Sequence, residues 1–77
     1  MKNAFNIGDE IKIEVHHKGV PGIKDLKPGN YVVTRYRESF SSRGNMVYDF
    51  KSVRKNSTYV YTFFQDWIES NATLVAK

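Results

Sequence analysis

Between positions 35 and 55 the sequence gathers Arg35, Arg37, Arg43, Lys51, Arg54 and Lys55, opposed only by Glu38 and Asp49. The stretches on either side are close to neutral, so the formal net charge of +4 sits in the middle third of the chain. Such a concentration is a patch rather than a general basic tint. Aromatic residues interleave with it, among them Tyr36, Tyr59 and Tyr61. A guanidinium fork matches the oxygens of a phosphate, and an aromatic face stacks on a base for about 1–3 kcal/mol. These residue types in this arrangement suit a polyanion that presents bases, DNA or RNA. The same cations would also keep a β-rich surface soluble and guard its edges. Tyrosine and arginine equally serve contacts between proteins, so a partner with an acidic surface is the competing expectation.

Other chemistry finds little footing. Cysteine is absent, which removes disulfides, thiolate metal sites and a cysteine nucleophile. His16 and His17 are adjacent, so on a strand they point to opposite faces and cannot share one metal ion. Neither histidine has a serine or threonine in a recognisable nucleophile arrangement. The carboxylates Asp9 and Glu10 occupy a turn and a strand start; Asp66 and Glu69 flank a helical turn, where Asp66 suits the first turn. No phosphate-cradling glycine loop precedes a Lys-Ser or Lys-Thr pair. The expectation is a non-enzymatic protein without metal or cofactor. No run approaches 18 apolar residues and the first residues lack a signal-like apolar core, so a cytoplasmic location without a membrane span is expected.

The elements that must carry these side chains are short strands. At 77 residues, with 40% hydrophobic and 14% aromatic content, the chain fits one domain with a small core. Gly8-Asp9 reads as a turn. Glu10 to His16 alternates strictly, with Ile11, Ile13 and Val15 on one face. Residues 17–29 hold three glycines and two prolines and predict a long loop, anchored by Val20, Ile23 and Leu26. Asn30 to Arg37 has strong β-propensity. Arg35 and Arg37, two apart, leave one face of it, and regular alternation puts Tyr31 and Val33 in the same row. Ser39 to Asn45 is a turn, Met46 to Val53 a further strand, and Arg54 to Ser57 a hairpin loop.

Thr58 to Phe64 then alternates, with Tyr59, Tyr61 and Phe63 on one face and Val60 and Phe64 on the other. Either set could face inward. If it is Val60 and Phe64, the tyrosines form an exposed stripe for bases or for a homodimer interface; if it is the tyrosines, each hydroxyl needs a partner. Phe50, Phe63 or Phe64, and Trp67 are assigned to the core. Gln65 to Ser70 loses the alternation and predicts one helical or 3₁₀ turn, and Asn71 to Ala76 a last short strand. The fold class expected is therefore all-β: a small five-stranded barrel with one helical turn before the last strand.

This order of elements resembles the SH3-like small barrel. The opening Phe5-x-x-Gly8-Asp9-x-Ile11-x-Ile13, followed by Lys18-Gly19-x-x-Gly22, is similar to a KOW-type segment of that class. The resemblance implies contact with RNA or with ribosomal and transcription machinery, and would add Lys18 and Gly19 to the site. An OB-like barrel is the architectural alternative. Residues from Pro28-Gly29-Asn30-Tyr31 to Tyr48-Asp49-Phe50-Lys51 also resemble filamentous-phage single-strand DNA-binding proteins. The leading expectation is a nucleic-acid-binding module in which Arg35, Arg37, Arg43, Lys51, Arg54 and Lys55 meet phosphate and Tyr36, Tyr59 or Tyr61 stack on bases. A protein-interaction module, adaptor or inhibitor, monomeric or homodimeric, is the alternative; it would use an exposed apolar edge such as Asn30–Tyr36.

Overall fold

The computed structural model describes residues 4–19, 25–40, 43–54 and 58–75. Strands β1 (Glu10–Ile13), β2 (Gly29–Glu38), β3 (Met46–Ser52) and β4 (Tyr61–Phe64) are followed by helix α1 (Gln65–Asn71) and strand β5 (Ala72–Leu74). All pairings are antiparallel, in the order β4-β3-β2-β1-β5. The chain is all-β with one short helix ahead of the last strand, as its patterning predicts. Among the described residues no helix is long and apolar enough to cross a membrane.

β2 is the organising strand, and it departs from simple alternation. Val33 faces Phe50, yet Arg35 faces Asp49, so Thr34 is an extra residue without a partner across the ladder. Such a bulge shifts the phase of every side chain beyond it. Tyr31 and Val33 are buried on the inner face, whereas Arg35 and Arg37 emerge on the outer one. The mixed row expected from regular alternation is thereby split. The Thr34 hydroxyl donates to the Asp49 carbonyl at 3.2 Å, tying down the irregularity.

The inner face holds the core: Ile11 and Ile13 from β1, Tyr31 and Val33 from β2, Tyr48 and Phe50 from β3, with Phe5, Leu26, Ile68 and Ala72 closing over them. Fully burying an aliphatic or phenyl side chain contributes about 1.5–3 kcal/mol, and much of this core is ring on ring. Phe50 stacks against Tyr61 with centroids 5.6 Å apart, and Tyr31 meets Phe50 edge-on at 5.4 Å. α1 is too short to persist alone in water. It is held by Ile68 in the core, with Trp67 packed at the core's margin.

Several expected boundaries move. β1 stops at Ile13 because both neighbours run out there: Ile13 pairs with Gly29 and Ala72, the first residues of β2 and β5. Val15 is consequently exposed instead of joining Ile11 and Ile13, and His16 lies beyond the strand, 3.7 Å from Asp25. Leu26 anchors the long loop, fully buried and paired with His17 through two backbone hydrogen bonds; Val20 and Ile23 lie outside the described residues. The β3–β4 ladder begins at Phe50 and Tyr61, so β4 is shorter than the alternating run 58–64. The first half of the Asn30–Tyr36 segment is central, with β1 pairing it through Val32 and β3 on its other side, so it is not an exposed edge there.

A polar network fixes the first described residues to the helix. Glu69 Oε2 accepts from the Tyr48 hydroxyl (2.9 Å), the Gln65 amide (2.8 Å) and the Ala4 N–H (3.0 Å). Burial opposes the Glu69 charge, but these hydrogen bonds together hold its carboxyl below the ordinary value. Burial, reinforced by the hydrogen bond to Glu69, pushes the Tyr48 phenol up to about 12. A raised phenol stabilises the fold fully below the ordinary tyrosine value near 10, and that contribution is lost as pH climbs through the folded value. Urea unfolding at pH 9 and at pH 12 should therefore show a clear loss at the higher pH, of about 2–3 kcal/mol from Tyr48. Tyr48→Phe should lower stability at pH 9 and shrink that loss.

Candidate functional site

The outer face of β2, β3 and β4 assembles the cationic residues row by row. Arg35 lies opposite Asp49, and Asp49 opposite Thr62; Arg37 lies opposite Val47, and Val47 opposite Phe64; Lys51 lies opposite Val32. Asp49 is the hub, a carboxylate only 5% exposed. Arg37 Nε and Nη2 donate to its two oxygens at 3.1 and 3.3 Å, and Thr62 Oγ1 donates at 2.7 Å. A charge this buried persists because it is paired and fully hydrogen-bonded.

The two arginines consequently differ in role. The Arg37 side chain is 24% exposed, its fork occupied by Asp49 and its guanidinium carbon 5.0 Å from the Phe40 ring centroid. Arg35 is 64% exposed, with Nε 3.7 Å from Asp49 Oδ2, too long for a hydrogen bond. Its fork faces solvent, held near a carboxylate that neutralises only one of the two charges. Lys51 is exposed on the same face.

The remaining cations scatter. Arg43 sits in the β2–β3 turn, where Gly44 takes φ +83°, a left-handed conformation that glycine adopts without strain. Arg54 follows the far end of β3, its N–H donating to Ser52 Oγ at 3.3 Å. The seven residues of β3 separate these two positions, about 23 Å along the strand. Lys55 lies outside the described residues.

The tyrosines point inward, which settles the open alternation. Tyr61 packs on Phe50 and Tyr31, and its hydroxyl donates to the Asp25 carbonyl at 3.2 Å. Tyr36 packs on Tyr48 and donates to Gln65 Oε1 at 2.8 Å. Tyr59 shares the Tyr61 side, its ring 4.8 Å away edge-on. None of the three joins the arginines on the outer face, and no exposed tyrosine stripe forms there. The aromatic residues open to solvent near the arginines are Phe40, 92% exposed, and Phe64, 47% exposed. Sequence reasoning placed neither in the site; it weighed Phe64 only as a core residue and counted Asp49 only as an opposing charge. The adjacency of Phe63 and Phe64 was the available signal for one of them: on a strand only one of the pair can face the core, and here it is Phe63.

Lys18 and Gly19 stand elsewhere, across from Trp67 and the inner side of β4, along a groove of about 320 Å³. His17 also lines it, edge-on to Phe63 at 5.1 Å and to Trp67 at 5.6 Å. The two histidines thus serve separate contacts, one ring on this aromatic pair and the other beside Asp25.

In comparison with known proteins, the chain matches no family model, no curated protein and no solved structure.

Asp49 should carry stability as well as position. Asp49→Ala would leave the half-buried Arg37 guanidinium and the Thr62 hydroxyl without their acceptor, and breaking such a pair costs about 2–4 kcal/mol. Urea denaturation should register that loss, while Arg35→Ala, which removes only a solvent-screened contact, should change stability by less than about 1 kcal/mol.

Proposed function

We propose that this chain is a non-enzymatic nucleic-acid-binding module that meets phosphate with the outer face of its sheet. The observation that carries the reading is the convergence of Arg35, Arg37 and Lys51 on the one face of β2 and β3 that also leaves Phe64 and Phe40 open. Within those two strands Asp49 is the sole acid on that face, so the array retains excess positive charge. Arg35 and Lys51 supply the free contacts. Arg37, held by Asp49, acts through its remaining charge and by fixing the Phe40 ring beside it.

This assignment refines the set read from the sequence. Arg43 and Arg54 lie at opposite ends of β3 and would extend contact along a ligand instead of sharing one phosphate. The resemblance to KOW-type segments supports the same class of partner, since its Lys18-Gly19 positions lie beside the edge strand β4.

Fluorescence anisotropy with labelled single-stranded DNA, duplex DNA and RNA at low and moderate salt tests the proposal. Binding should weaken steeply with salt, and the double variant Arg35→Glu/Lys51→Glu should lose at least tenfold in affinity and show a shallower salt slope. Arg37 is left intact because a glutamate there would confront buried Asp49 and unfold the site. Absence of binding to all three ligands at low salt, or an unchanged affinity in the double variant, overturns the proposal. The face would then be read as a docking surface for an acidic protein.

A further inference from the structure

The groove beside β4 has a composition that phosphate binding does not need. Its walls are Tyr59, Phe63 and Phe64 from the β4 region, Trp67 from α1, and His17 with Lys18 from the segment after β1. Rings dominate it, and among the described residues no carboxylate lines it. At about 320 Å³ it lies at the lower end of the range for small-ligand sites, about 300–1,000 Å³. That suits one flat ring system and is too small for a helix.

Its interior is already ordered for stacking. Phe63 and Trp67 lie 4.6 Å apart at 31°, and His17 meets both edge-on, which fixes their planes. A ligand therefore meets rings already packed on one another instead of having to assemble them. Lys18, exposed, supplies positive charge at the rim.

The groove is also continuous with the cationic face. β4 is an edge strand of the sheet, and Thr62 and Phe64 belong both to the outer face and to the groove lining. Thr62 lies in the same cross-strand row as Arg35, two strand spacings or about 10 Å away. A backbone crossing Arg35 and Asp49 reaches the groove by passing over the β4 edge.

We infer that the groove takes a nucleobase from a single-stranded nucleic acid whose phosphates lie on the outer face and beside Lys18. The inference rests on the proposed function and adds the form of the ligand: bases must be unpaired to turn in over β4, so a duplex engages the outer face alone. Charge complementarity and the ring-lined interior together select this occupant. Single-strand binders combine a basic track with aromatic platforms in the same way.

Trp67 is the only tryptophan in the chain, so it reports on the groove directly. The intact chain is titrated with a twelve-nucleotide oligothymidylate, a twelve-base-pair duplex and inorganic polyphosphate, following anisotropy or competition alongside Trp67 emission. The oligothymidylate should quench Trp67 at the concentrations where it binds, while duplex and polyphosphate bind with little quenching. Tyr59→Ala, which keeps Trp67 as reporter, should lower oligothymidylate affinity about tenfold and leave duplex affinity unchanged; its thermal unfolding verifies that the variant folds. Binding of oligothymidylate without quenching, or equal quenching by polyphosphate, overturns the groove assignment and leaves the outer-face reading standing. Failure of all three ligands to bind removes both.

Discussion

One unpaired residue in β2 decides what each face of the sheet carries. Were the strand regular, Tyr31, Val33, Arg35 and Arg37 would share a face, and two cations would be driven into the core or two core residues out of it. The bulge at Thr34 resolves the conflict by advancing the phase between Val33 and Arg35. The arrangement of the outer face depends on this shift: Tyr36 turns in against Tyr48, Arg35 comes to lie opposite Asp49, and Arg37 reaches the same carboxylate from two residues on.

The buried carboxylate and the buried tyrosines solve the same problem on opposite faces. A core of this size without disulfides relies on aromatic volume, and tyrosine brings hydroxyls that are costly to leave unpaired. Tyr31 donates to the Lys27 carbonyl, Tyr36 to Gln65, Tyr48 to Glu69 and Tyr61 to the Asp25 carbonyl. Each bond adds a polar tie to a segment already anchored by an apolar side chain: the long loop, held by Leu26, through Lys27 and Asp25, and the helix, held by Ile68, through Gln65 and Glu69. Among the described residues no buried side-chain nitrogen or oxygen lacks a partner. Of the rings expected to stack on bases, Tyr36 and Tyr61 are engaged in holding the domain together, while Phe64 and Phe40 are left outside.

The cationic face and the ring-lined groove are consequently separated by the thickness of one strand. The cationic row occupies the outer face and the rings gather behind β4, with Thr62 and Phe64 common to both. β4 and β5 are only four and three residues long, which limits their capacity to template pairing with another chain. The accessible features are therefore side-chain features, the guanidinium array and the aromatic groove, more than backbone edges.

Composition and periodicity by themselves determined the all-β class, the number and order of strands, the helix at Gln65 and the concentration of cations in the middle third, because these follow from local alternation, turn residues and a simple count of charge. They also placed Phe50 correctly in the core, with Trp67 packed only at its margin, and posed the right alternatives for Tyr59 and Tyr61. Tertiary structure alone decided which alternative holds, since both faces of 58–64 are apolar enough to be buried and only the partners available to each hydroxyl discriminate. It alone showed that Asp49 binds Arg37 across the β2–β3 pair, and that Lys18 and Trp67, 49 positions apart in the chain, line one groove. The pattern of β2 shows only a row that mixes Tyr31 and Val33 with Arg35 and Arg37, and the register of β3 is what locates the bulge at Thr34.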